Sequence, residues 1–169
     1  MSLGKRMVWG ICIVLVLVIV ASFICGVGKI SSKKSTISFF ALVEQGRINE
    51  LTLTIYCAGL SFLPRLPLSV NDLVNHPYTS KLVIDGSILA EHIEVFCQMS
   101  RTELIPIKDG GYRDIRTYYS IKTKEGQKIF SVASWGRDGS MFVNEHEFYN
   151  DDIFFEIVNI FWQELFPQD

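Results

Sequence analysis

Apolar residues fall along this chain in three patterns. The first is an unbroken run, Met7 to Val27, which reads MVWGICIVLVLVIVASFICGV and carries no charge over 21 residues. A helix of that length, at about 1.5 Å per residue, spans about 30 Å, the thickness of a bilayer's hydrocarbon core. The second pattern alternates with period two and predicts strands. The third recurs every three to four residues and predicts amphipathic helices.

The alternating segments come in two groups. Residues 48–57 give the clearest strand: Leu51, Leu53, Ile55 and Cys57 alternate with Thr52, Thr54 and Tyr56. One apolar face and one hydroxyl-bearing face mark a half-buried antiparallel strand. A shorter strand is predicted over 80–85. The second group reads as 102–107, at an edge because of Pro106, then 112–123, 127–135 and 140–149. Asp109-Gly110-Gly111, Lys124-Glu125-Gly126 and Gly136-Arg137-Asp138-Gly139 separate these segments as turns. Short turns between successive strands predict a meander.

Helical spacing appears at 88–100, where Leu89, Ile93, Phe96 and Cys97 share one face and Ser87 is placed to cap the first turn. It appears again at 152–165, whose apolar positions spread well past one side. Such a helix needs cover on most of its circumference, which predicts a clamp across the sheet. Shorter helices are predicted over 37–47, ended by Gly46, and from Ser69 to Asn75, with Asp72 at the reciprocal capping position. The fold class that follows is α+β: an antiparallel sheet of four to six strands, packed by two main helices behind one N-terminal transmembrane helix. The expected organisation is a basic tail (1–6), the membrane helix (7–27), a polar linker (28–36) and a single α+β domain (37–169).

Two alternatives to an uncleaved signal-anchor remain for the apolar run. A cleaved signal peptide would use Lys5 and Arg6 as its basic region and Gly26-Val27-Gly28 as a weak cleavage site, but the run exceeds the roughly 7–15 residues usual there. A lipoprotein signal ending at Cys25 would want a small residue where Ile24 stands. Trp9 near one end suits the interface of a spanning helix. Orientation is finely balanced, because Lys5 and Arg6 precede the run while Lys29, Lys33 and Lys34 follow it. The short basic tail favours a cytoplasmic N-terminus and an extracytoplasmic domain.

Charge narrows the partners. Residues 1–34 hold five of the 16 basic residues and none of the 18 acidic ones, leaving 11 against 18, a net of −7, on the rest. That balance disfavours nucleic acid. Glu145, Glu147, Asp151, Asp152, Glu156, Glu164 and Asp169 stand in the last 25 residues without a Lys or Arg among them. This is a solvated acidic face or a docking patch for a basic partner. A membrane or envelope protein is the expected partner besides the lipid bilayer.

No catalytic, cofactor or metal motif stands out. Four cysteines include no C-x-x-C pair, which argues against structural zinc. Cys12 and Cys25 lie in the apolar run. Cys57 and Cys97 fall on core faces, as free thiols or, in an exported domain, as one disulfide. His76, His92 and His146 have no Ser or Cys signature beside them, and Glu145 and Glu147 would share a strand face that His146 leaves. No catalytic, cofactor or metal residues are therefore assigned. The candidate partner-contact surfaces are the apolar loop 58–68, with Leu60, Phe62, Leu63 and Leu66, and an aromatic sheet face with Tyr56, Tyr118 and Trp135 near Arg116 and Arg137. The function expected is a membrane-anchored, non-enzymatic binding or accessory module. The alternatives are an envelope hydrolase with a scattered site and a cytosol-facing regulator.

Overall fold

β1 (Leu51–Ala58) is the strand that the alternation identifies, displaced toward its C-terminus because Ile48–Glu50 winds into a single 3₁₀ turn. A computed structural model describes residues 39–59, 67–108, 114–135 and 139–167. The apolar run Met7–Val27, the linker and most of the 58–68 loop lie outside them. All the described residues belong to one compact unit, Thr36–Asp169.

Around β1 the described elements follow in order. A helix, α1, covers 39–44. After β1 come α2 (Val70–Asn75), β2 (Thr79–Asp85), α3 (Gly86–Glu91) and α4 (Ile93–Arg101). The meander is β3 (Thr117–Thr123), β4 (Lys128–Ser134), β5 (Ser140–Val143) and β6 (His146–Tyr149), and α5 (Asp152–Ile160) with α6 (Trp162–Leu165) closes the order. All six strands form one antiparallel sheet in the order β2-β1-β3-β4-β5-β6. The α+β class and the antiparallel meander therefore stand.

Several boundaries differ from the sequence reading. Residues 140–149 are two strands, not one. Asn144 and Glu145 take φ of 48° and 72°, the paired positive values that a two-residue hairpin turn of type I′ requires. Asn144 tolerates that conformation, and its side-chain Oδ1 accepts the Ser131 amide at 2.9 Å while its own amide donates to the Ser131 carbonyl. Residues 102–107 do not form a strand. They make a strap: Pro106 bridges to Phe148, Ile107 N–H donates to the Glu147 carbonyl, and Tyr149 N–H donates to the Ile105 carbonyl.

The helix expected at 88–100 starts at Gly86 and breaks at His92, and the helix expected at 152–165 breaks at Phe161. Both breaking residues sit in the bridge region, at φ/ψ of −113°/24° and −102°/16°. Their rings meet edge-on with centroids 5.5 Å apart. The two interrupted helices therefore bend against each other.

One sheet face carries the main core. Leu53, Ile55, Tyr119, Ile121, Phe130, Val132, Met141 and Val143 are buried there against α1, α3, α4, α5 and α6. Phe39 stacks on Phe130 at 4.6 Å and meets Phe96 edge-on at 6.0 Å. α1 ends as its sequence dictates: Gly46 takes φ 68°, Gly46 N–H donates to the Val43 carbonyl and Arg47 N–H to the Leu42 carbonyl, a Schellman closure. α5 packs beside α4, and α6 goes on to contacts with β2. The clamp is fastened in its first turn, where the buried Tyr119 hydroxyl donates to the Phe154 carbonyl at 2.9 Å.

Gly86 marks a second close fit. A Cβ there would lie 2.6 Å from backbone atoms of Ile48 and Asn49. Backbone cannot swing aside as a side chain can, so Gly86→Ala forces α3 away from the 3₁₀ turn. We expect a loss of roughly 1–3 kcal/mol on that substitution, the usual range for overpacking, read as a lower midpoint in chemical denaturation.

Candidate functional site

The second sheet face is where the sequence placed its aromatic surface. Strand alternation and register set it out in rows across the sheet. One row runs Lys81, Tyr56, Tyr118, Ala133, Phe142 and Glu147 through five successive pairings. The next, two residues away along each strand, runs Val83, Thr54, Ser120 and Ser131. Rows two residues apart are separated by about 7 Å.

The first row is a graded series: cation, two aromatics, a small residue, an aromatic and a carboxylate. Tyr56 and Tyr118 stack with centroids 6.1 Å apart and planes 28° apart. Lys81 Nζ lies 5.7 Å from the Tyr56 ring centre, a cation–π position that the ring quadrupole favours. At the far end the Ser140 hydroxyl donates to Glu147 Oε1 at 2.5 Å. Inward of Val83 the second row is buried and hydroxyl-bearing: Thr54, Ser120 and Ser131 are each nearly inaccessible. Small residues in line thus lie between the taller aromatic row and a row holding Asp85, Thr52 and Lys122.

α2 covers one end of this face. Leu68, Leu73 and Ile115 pack with Ala58 and Ala133, and Tyr56, Tyr118, Val70 and Phe142 border that cluster. The helix forms where the sequence placed it, because Ser69 and Asp72 cap each other reciprocally: Asp72 N–H donates to Ser69 Oγ at 3.2 Å and Ser69 N–H to Asp72 Oδ2 at 3.0 Å. The Ser69 hydroxyl bond and then the Ser69 amide hold the Asp72 carboxyl below its ordinary range. The cap is thus intact above the usual aspartate pKa and is lost as pH falls through the lowered folded value. Asp114 ties the helix entry down, accepting the Leu68 amide at 2.7 Å while pairing with Arg116 at 2.6 Å.

Trp135, one residue beyond β4, is 59% exposed, and Tyr149 at the end of β6 is 60% exposed. Ser134 pairs with Met141 and Ser140 with Tyr149, so both aromatics stand at the same end of the sheet. The structure thus pairs Tyr118 with Tyr56, leaves it half-buried beside α2, and sets Trp135 apart and open. Leu60, Phe62, Leu63 and Leu66 lie outside the described residues, as does Arg137. The hydroxyl row went unnoticed in the sequence. Thr52 and Thr54 were visible, but their alignment with Ser120 and Ser131 depends on register between strands.

The groups considered for chemistry lie apart. His76 follows α2 and its ring lies 5.7 Å from that of Tyr78, His92 packs on Phe161, and His146 is exposed at the start of β6. Glu145 is in the hairpin turn, not on a strand face with Glu147, and lies 3.6 Å from Lys128. Among the described residues no cluster of three His, Cys, Asp or Glu could hold a metal ion. Cys57 and Cys97 are free thiols. Burial pushes the Cys57 thiol up, partly offset by Thr117 Oγ1 at 3.6 Å. A thiol held protonated in this way is a poor nucleophile. A shallow depression of about 460 Å³ beside Gly86 is lined by Asn49, Thr52, Asp85 and Lys124 among others. Among the described residues no helix is long and apolar enough to cross a membrane.

No family model, curated protein or solved structure matches this chain.

Proposed function

We propose that this chain is a single-pass membrane-anchored protein whose α+β domain is extracytoplasmic and serves as a non-enzymatic binding or accessory module for another membrane or envelope protein. The 21-residue uncharged run supplies the anchor, and the nine-residue linker keeps the domain near the membrane. The observation that carries the binding role is the exposed pair Trp135 and Tyr149 at one end of the second sheet face. Large aromatics left open at the end of an ordered sheet supply contact area at low cost in side-chain entropy, as interface anchors do. The acidic C-terminal segment favours a basic patch on the partner.

The test is site-specific photo-crosslinking of the full chain in its native membranes. A photoreactive residue at Trp135 should give one discrete membrane-protein adduct. The same residue at exposed Gln163, on the helical side, should give none. Equal adducts from both positions, or none from Trp135, would remove the sheet face from the proposal. A hydrolase would need His92 or His146 to share a cleft with carboxylates, and no observation favours that reading.

A further inference from the structure

The two edges of the sheet are finished differently. The β6 edge is closed by the 105–107 strap. The β2 edge has no such cover: Thr79 N–H, at its first residue, donates to the His76 carbonyl, and among the described residues no main-chain bond reaches its outer side beyond that. β2 contains no proline, and no bulge interrupts its pairing with β1. An open edge of this kind is a template for another strand.

The polarity of that edge can be worked out. Ala58 N–H donates to the Arg116 carbonyl, on the β3 side of β1. Even-numbered residues of β1 therefore turn their main-chain groups toward β3, and odd-numbered ones toward β2. The register Leu53↔Ile84 and Ile55↔Leu82 commits Leu82 and Ile84 to β1. The amides of Lys81, Val83 and Asp85 are left pointing outward. Their side chains all lie on the second sheet face, opposite Tyr56, Thr54 and Thr52.

The segment is self-complementary about Val83. Lys81 and Asp85 stand two residues to either side, with opposite charges. Tyr78 and Ile88 stand five residues to either side. Tyr78, Val83 and Ile88 are 71%, 54% and 45% exposed, and large hydrophobics are elsewhere mostly buried. Asp85 is the N-cap residue of α3 yet its carboxylate caps no amide there.

We propose that β2 pairs antiparallel with β2 of a second copy of this chain, with the two-fold axis passing between the two Val83 residues. In that register Val83 exchanges both main-chain hydrogen bonds with Val83 of the second copy. The Asp85 amide of each chain reaches the Lys81 carbonyl of the other. Lys81 of each chain faces Asp85 of the other on the second sheet face, and Val83 meets Val83. Tyr78, just before β2, and Ile88, in the first turn of α3, come to the same end of the interface from opposite copies. The other symmetric registers either place Lys81 opposite Val83 or leave Asp85 without a cation, so charge selects this one. The two sheets join into one, and Trp135 and Tyr149, toward the opposite edge of the sheet, stay open on both copies. The inference is independent of the proposed partner binding.

The test uses the full chain in mild detergent, with oligomeric state measured by sedimentation over a range of concentrations. The wild-type chain should dimerise. Lys81→Asp and Asp85→Lys should each weaken self-association about tenfold or more, since each places like charges at both cross-strand positions. An equimolar mixture of those two variants should recover the dimer, because each chain then offers the sign the other lacks. Val83→Pro should abolish it. That substitution removes an outward amide the β1 ladder does not use, so retained circular dichroism is expected. A wild-type chain that stays monomeric overturns the proposal. So does a dimer unchanged by either charge reversal, as association through the apolar run would be, or a mixture that fails to recover.

Discussion

Tyr119→Ala is expected to cost about 3–5 kcal/mol, the range for truncating a buried large aromatic, and to leave the domain largely unfolded at 37 °C. Domain stabilities are themselves only about 5–15 kcal/mol. Tyr119 sits on the middle of β3 with its ring in the main core, and its hydroxyl reaches α5 from the sheet centre by donating to the Phe154 carbonyl. Truncation therefore opens a cavity and releases the clamp together. Tyr119→Phe separates these effects, since it keeps the ring and loses one hydrogen bond, for roughly 0.5–1.5 kcal/mol. Burial holds the Tyr119 hydroxyl well above its usual ionisation range. The wild-type contribution is thus complete below about pH 10, the unfolded tyrosine value, and declines as pH rises beyond it, a component that Tyr119→Phe lacks. Denaturant melts of the three proteins at pH 8 and pH 11 check both statements. Equal alkaline losses in wild type and Tyr119→Phe would contradict the second.

The second large effect concerns the apolar run. Its thirteen Val, Ile, Leu and Phe residues favour insertion by about 0.3–0.6 kcal/mol each at the helix centre, about 4–8 kcal/mol together. One arginine at the centre costs about 2.5–3.5 kcal/mol on the same scale, so two cost about 5–7. Leu15→Arg combined with Val18→Arg therefore cancels the insertion energy without changing length or touching residues 39–167. We expect the wild-type chain in the membrane pellet after carbonate washing and the double variant in the supernatant. A double variant that stays in the pellet would mean that another part of the chain holds it there.

What the sequence made legible follows from the range of the interactions involved. α2 was readable because its cap is closed by two residues three apart, Ser69 and Asp72. The end of α1 was readable because Gly46 alone among nearby residues suits φ 68°. β1 was readable because one strand's alternation is complete in itself. The Asn144-Glu145 turn was missed because Glu145 is a poor residue for positive φ, and the turn is held by Asn144 bonding to Ser131, thirteen residues back. The helix breaks at His92 and Phe161 were missed for the same kind of reason: each is a good enough helix residue locally, and the two meet only in the folded chain. The candidate face divides likewise. Its aromatics were visible singly, while the Tyr56–Tyr118 stack, the hydroxyl row and the symmetry of β2 about Val83 depend on strand register.

Protease accessibility of residues 35–169 in intact right-side-out membranes tests the anchored, outward-facing placement most directly. Digestion of the domain from outside, with a short N-terminal fragment left in the membrane, is the result expected. Protection of the whole chain in the membrane fraction would turn the domain inward, and recovery of a shortened soluble product would make the apolar run a cleaved signal; either contradicts the placement proposed.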